Sequence, residues 1–149
     1  MNTRRIKKPA LLLTIMAFMA VASLPALAAD TGKLIIKATG FKDDSGHALF
    51  AVVNSPEAYD DIGEKAMAKS RENIKAGKAE SEFTLPYGWY AVSVVHDQNN
   101  NDKLDTNFLG IPKEPYGFSN NPKSMGKPSY DEAKFKLDAG QKVIEVTVE

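Results

Sequence analysis

"WYAVSVVHD", residues 89–97, decides the fold. Two aromatics and three valines fall in nine residues with no glycine or proline, a composition that favours a strand over a helix. The preceding "PYG" (86–88) marks a turn, and "SEFTL" (81–85) before it alternates, with Phe83 and Leu85 on one side. Working outward, "KLIIKATGF" (33–41) puts Leu34, Ile36 and Ala38 on one face, "DDSG" (43–46) signals a turn, and "HALFAVV" (47–53) is another β-rich run. At the other end "AKFKLDAG" (133–140) and "KVIEVTVE" (142–149) predict a hairpin around Asp138-Ala139-Gly140. In the last run Ile144, Val146 and Val148 alternate with Glu145, Thr147 and Glu149, the period of a half-buried strand.

Residues 55–78 read differently. Ser55 suits a helix cap, Pro56 the first helical position and Glu57 the positive end of the dipole. Gly63 keeps that helix short. From Ala66 onward Lys69, Arg71, Asn73 and Lys75 alternate with Ala68, Ser70, Glu72 and Ile74, as on an edge strand. About seven short strands with one short helix predict an all-β fold, an antiparallel β-sandwich.

The first 28 residues stand apart. "MNTRRIKK" carries four positive charges and no negative one, and "PALLLTIMAFMAVASLPALA" follows as an apolar run ending in Ala26-Leu27-Ala28. Basic, apolar and small-residue regions in that order make a secretory signal peptide, with cleavage expected after Ala28. The expected organisation is a leader over 1–28 and a single domain over 29–149, located in the periplasm or secreted. No second apolar span follows, so no membrane insertion is expected after cleavage. Without the leader, 15 basic face 19 acidic side chains, a net charge of −4. That balance argues against nucleic acid as a partner, since phosphate binding needs a basic face. There is no cysteine, hence no thiol nucleophile and no disulfide framework.

Immediately after the decisive strand comes "HDQNNNDKLDTNFLG" (96–110), crowded with carboxylates and amides. Calcium loops place oxygen ligands at positions one, three, five and nine, with a main-chain carbonyl at seven. Counting from Asp97 gives Asp97, Asn99, Asn101, Lys103 through its carbonyl, and Asp105. Position six is Asp102 where such loops carry Gly, and position twelve is Phe108 where they carry Glu. The competing reading is an Asn-rich turn held by its own hydrogen bonds. Calcium is the one candidate cofactor. His96 and His47 are too few to suggest zinc or copper.

The stretch "LPYGWYAVSVVHDQNNNDKLDTNFLGIPKEPYGFSN" (85–120) resembles a bacterial family of exported domains of unknown function. The likeness runs through Gly88, Tyr90, Ala91, His96, Asp97, Asn99, Asn101, Leu104, Asp105, Gly110, Pro112, Glu114, Tyr116, Gly117, Phe118 and Ser119. Asp102 departs from the glycine usual there. More weakly, the resemblance extends from about Gly32 to the C-terminus. It implies an immunoglobulin-like or prealbumin-like sandwich and brings no catalytic residues.

"GIPKEPYGFSNNPKSMGKPSY" (110–130) is rich in proline and glycine and reads as a long loop. Tyr116 and Phe118 beside Asn120 and Asn121 are candidate ligand-binding residues, because aromatics with amide neighbours suit glycans and peptides. The alternative is that the two rings fold back over one end of the sandwich. No nucleophile elbow, Ser–His pair or nucleotide loop is present in the sequence. The expected function is therefore a non-catalytic exported domain that binds a protein or glycan of the cell envelope through its 97–121 loops, with a weak calcium site. The alternative is a cell-envelope hydrolase using a carboxylate pair in those loops.

Overall fold

In the computed structural model, which describes residues 30–149, the chain is an all-β sandwich. The leader read over residues 1–28 and its cleavage point lie outside the described residues. Eight strands follow in order: β1 (Thr31–Thr39), β2 (His47–Val53), β3 (Ala68–Glu72), β4 (Lys78–Pro86), β5 (Gly88–Asp97), β6 (Tyr116–Phe118), β7 (Phe135–Leu137) and β8 (Gln141–Thr147). Three short helices are interspersed: α1 (Pro56–Asp60), α2 (Ile62–Lys65) and α3 (Tyr130–Ala133).

The first sheet has the order β4-β1-β8 and the second the order β3-β2-β5-β6, with β7 also paired to β5. Period-two alternation sets which side chains meet between them. Leu34, Ile36 and Ala38 of β1 face Ala48, Phe50 and Val52 of β2 and Tyr90, Val92 and Val94 of β5, all buried in one core. Strand β5 is the centre of the second sheet. It pairs with β2 along one edge, and along the other with β7 at Gly88–Tyr90 and β6 at Ser93–Val95. Residues 90–97 are buried on both faces.

The expected edge strand is present as β3, with Lys69 and Arg71 outward. Ser55 caps α1, its hydroxyl accepting the Ala58 N–H at 3.2 Å, with Pro56 in the first turn. The chain then makes a second short helix and, later, α3, so one helix becomes three. Helix α3 has a capping box: Ser129 accepts the Glu132 N–H while the Glu132 carboxylate accepts the Ser129 N–H.

The expected hairpin around Asp138-Ala139-Gly140 is not formed. Strand β7 belongs to the second sheet, and β8 lies parallel to β1 in the first, with Ile36 opposite Ile144 and Ala38 opposite Val146. Residues 138–140 carry the chain from one sheet to the other, and the Lys33 N–H holds the Gly140 carbonyl at 2.9 Å. Phe135 and Leu137 are buried in the core beside the start of β5, which commits β7 to that sheet.

The sandwich closes where β6 meets the end of β8. Tyr116 and Glu149 exchange two main-chain hydrogen bonds of 3.2 and 3.1 Å. Between them Gly117 lies so close to β8 that a Cβ would stand 2.1 Å from the Thr147 carbonyl, so the approach requires glycine.

Val146 is fully buried and its neighbour Thr147 is exposed. Val146→Asp is expected to lose on the order of 4 kcal/mol in urea denaturation, from lost burial plus an unpaired ion. Thr147→Asp should stay within about 1 kcal/mol of wild type. Equal losses would contradict the register of β8.

Candidate functional site

Strand β5 ends in two buried polar residues that point to opposite faces. His96 lies on the core side, its Nε2 2.8 Å from the Ser45 carbonyl and its ring edge-on to Phe41 at 5.3 Å. Because a carbonyl only accepts, Nε2 carries the proton there. His47 lies opposite Asp97 in the β2–β5 register, one position out of phase with His96. The two imidazoles therefore face opposite sides of the sheet.

Asp97 is fully buried and organises the loop that follows. Its Oδ1 accepts the Asn101 N–H at 3.1 Å and its Oδ2 the Asp102 N–H at 2.9 Å. Two Asx turns continue the curl: Asn99 Oδ1 accepts the Asn101 N–H and Asn101 Oδ1 the Lys103 N–H, both at 3.1 Å. Asn100 and Asp102 take positive φ, 64° and 63°. Asp102 thus makes the left-handed bend for which calcium loops use Gly, and Arg71 holds its carboxylate at 3.0 Å. The amides of Asn99 and Asn101 converge on Asp105, donating to its two oxygens at 2.6 and 2.9 Å. Those two bonds, Asn101 first, hold the Asp105 carboxyl below its ordinary pKa.

One residue closes the loop that spacing alone did not single out. Glu114, 6% exposed, accepts the Gln98 N–H at 2.9 Å on one oxygen and the Asp105 N–H at 3.0 Å on the other. A single carboxylate thereby ties together both ends of the 98–105 segment. Asn107 does the same for the next turn, its Oδ1 accepting from Leu109 and Ile111 at 2.9 and 3.0 Å. Main-chain N–H groups carry no residue signature, so only the acceptors were there to be read.

The aromatic segment separates into two roles. Tyr116 and Phe118 stand half-buried on the outer side of β6, with ring centres 5.7 Å apart, and Phe118 also packs against Tyr59. Asn120 and Asn121 adopt left-handed φ and commit their amides to the main chain. The Asn120 amide donates to the Glu132 and Lys134 carbonyls. Asn121 donates to the Glu145 carbonyl and accepts the Thr147 N–H, pairing with the open edge of β8 as a strand would.

A groove of about 1020 Å³ runs over the outer face of the second sheet. Leu49, Ala51, Ser93 and Val95 line it from the strands, Tyr116 and Phe118 from β6, and Leu104, Ile111 and Pro112 from the long loop. Ile62 and Gly63 of α2 border it, and charges of both signs line it, Lys69, Arg71, Lys103 and Lys127 with Asp60, Asp61 and Asp102. The outer face of the first sheet is different: it is charged, with Lys33 paired to Glu82 at 2.8 Å. Ile35 and Val143 pair on that face among the charges, whereas the second sheet carries a continuous apolar surface beneath the 97–121 loops.

The family described as "Uncharacterized protein conserved in bacteria (DUF2141)" matches residues 36–145, most of the chain, and the chain belongs to it. No curated protein and no solved structure matches.

Removing the clamp tests its role. Glu114→Ala leaves two N–H groups without their acceptor and is expected to cost about 1–3 kcal/mol, read by urea denaturation. Lys113→Ala beside it should be near neutral. Because the folded Asp105 pKa lies below the unfolded one, its stabilisation is present above the ordinary carboxylate range and is lost as pH falls through the lowered value. Asp105→Asn should therefore flatten the acid limb of the stability curve. An unchanged limb would mean that the Asn99 and Asn101 bonds contribute nothing.

Proposed function

We propose that this member of the family is an exported, non-catalytic binding module that receives a protein or glycan of the cell envelope in the groove on its second sheet. The observation that carries the reading is the asymmetry of the two outer faces. One is mostly charged, with only Ile35 and Val143 among its lysines and glutamates in the described residues. The other has an apolar, concave floor with charges of both signs at its rim, and is bordered by loops held in place by Asp97, Asn107 and Glu114. A preformed apolar concavity with few convergent polar groups is the usual form of a small-ligand or chain-binding site. Tyr116 and Phe118 supply rigid aromatic surface to it, whereas Asn120 and Asn121 brace the framework beneath. The finer topology we assign is prealbumin-like or immunoglobulin-like, and the location is the periplasm or the extracellular medium.

We further assign a weak calcium site to the 97–105 loop. The donor set fits a hard cation: carboxylates from Asp97 and Asp105, amide oxygens from Asn99 and Asn101, and the Lys103 carbonyl. The left-handed bend at Asp102 supports the fit, and the Asn99 and Asn101 side chains, which reach Asp105 through their NH2 groups, would have to turn their oxygens inward on binding. Among the described residues no three acidic or histidine side chains cluster at ligand spacing. A site with two carboxylates would therefore bind in the range of extracellular modules, on the order of 10⁻⁴ to 10⁻³ M. The hydrolase alternative asks one carboxyl of a pair to act as an acid. The lowered pKa of Asp105 suits a ligand rather than a proton donor.

Protein recovered from periplasm or medium is expected to begin at Ala29. At about ten times Kd, calcium should stabilise it by roughly 1.4 kcal/mol and raise the melting temperature by a few degrees. Asp105→Ala should lose that shift. Immobilised wild type should retain an envelope glycan or polypeptide that Ala51→Trp, which fills the groove floor, does not. Equal retention by the filled variant contradicts the groove, and an unmoved melt at about 20 mM calcium, roughly twenty times the weakest Kd of that range, contradicts the metal site.

A further inference from the structure

Two smaller cavities adjoin the groove, of about 530 and 560 Å³. One lies between α1 and α3, lined by Pro56, Tyr59 and Tyr130. The other lies between β6 and the end of β8, lined by Tyr116, Asn121 and Thr147. Three consecutive residues part them. Gly126 lines the groove and the cavity at β8, Lys127 the groove and the cavity at α1, and Pro128 both small cavities. The segment 122–128 is therefore a strap laid across one larger depression. Its middle is thinly held: residues 123–127 are all exposed, and a Cβ on Gly126 would meet nothing within 4 Å. Among the described residues, no main-chain hydrogen bond of a turn or loop involves 122–128. One side chain ties the strap down. The Lys127 ammonium donates to the Tyr59 carbonyl at 2.5 Å and the Asp60 carbonyl at 3.3 Å, in the last turn of α1, and stands 4.5 Å from the centre of the Tyr59 ring.

We infer that Lys127 is the latch of this strap, and that its release joins the groove and the two small cavities into one cleft for an elongated apolar ligand. The inference rests on the groove reading above and adds its regulation. A segment with few buried contacts and no main-chain hydrogen bonds opens locally at low cost. The latch itself is cheap to break, because an exposed ammonium exchanges two neutral carbonyls for water. Both ends stay fixed, one by Asn121 on β8 and the other by the Ser129 capping box, so the strap lifts without detaching. Gly126, at φ 86°, sits beside the latch and supplies the backbone freedom for that swing. The surface beneath is continuous and aromatic: Tyr116 and Phe118 line both the groove and the cavity at β8, and Tyr59 and Tyr130 line the cavity at α1. The amides of Asn120 and Asn121, which could read hydroxyl groups, are committed to main-chain partners. Recognition in the joined cleft therefore rests on apolar contact.

The test compares the exported protein with its Lys127→Met variant, which keeps the aliphatic stem and removes the donor. Backbone order parameters over 123–127 are expected near about 0.85 in wild type and below about 0.6 in the variant. Two uncharged fluorescent probes read the cleft: phenylnaphthylamine, which is compact, and diphenylhexatriene, which is a rod. With the released strap at about a tenth of the wild-type population, freeing it tightens rod binding roughly tenfold. The compact probe, which the groove alone can hold, should change by less than about twofold. Lys127→Arg still donates to both carbonyls and should behave as wild type, and Lys123→Met on the same strap should change neither reading. Failure of the groove reading would show differently, as probe binding that Ala51→Trp does not reduce. Order parameters alike in wild type and Lys127→Met overturn the latch, and an equal gain for both probes, or none for either, overturns the joined cleft.

Discussion

Strand β5 is paired on both edges and covered on both faces, and the other elements take their places from what it needs. One edge is held by β2 along its length, and the other is shared end to end by β7 and β6. Its core side meets β1 and β8 of the opposite sheet. Its outer side is covered at one end by α1, α2 and α3, where Ala91 packs with Val53, Tyr59 and Ala133. A strand with alternating residues buried on both sides has no solvent face, so its sequence reads as a nearly continuous apolar run. That run ends in Asp97, a charge placed at the buried end of the strand.

Burying a carboxylate there is tolerable because main-chain donors surround it, and the same device recurs around the sandwich. Asp97 accepts from Asn101 and Asp102, Glu114 from Gln98 and Asp105, and Asn107 from Leu109 and Ile111. Across the molecule Asp44 accepts both N–H groups of the Ala76-Gly77 turn, whose two positive φ values suit a two-residue hairpin. One acceptor binding two N–H groups fixes a turn without regular structure. Long connections over the outer face of the second sheet thereby become walls of a groove.

Much of this was legible in residue order. Period-two alternation in β1, β2 and β8 identified the core faces, and the switch from helix to edge strand after Ala66 followed from Pro56, Gly63 and the alternating lysines. The hairpin at 138–140 was misread for a definite reason. Asp-Ala-Gly signals that the chain turns, but not that the two strands enter different sheets. Ser129 and Glu132 spell a capping box that could have announced α3. Asp102 seemed a departure from a calcium loop, yet its left-handed φ supplies the bend. Glu114 entered the reading only through the family resemblance, because its partners are peptide groups distant in sequence. The groove, too, required knowing that Leu49, Ala51 and Val95 share an outward face, which follows only after the strands are paired.

Carboxylates hold an exposed polar loop in one conformation at the end of β5. Amide hydrogen exchange measures this directly, residue by residue. The amides of Gln98, Asn101, Asp102 and Asp105 should exchange well below free-chain rates, while that of Asn100, which donates no hydrogen bond to a loop carboxylate, should exchange freely. Exchange of all five at free-chain rates would contradict the account.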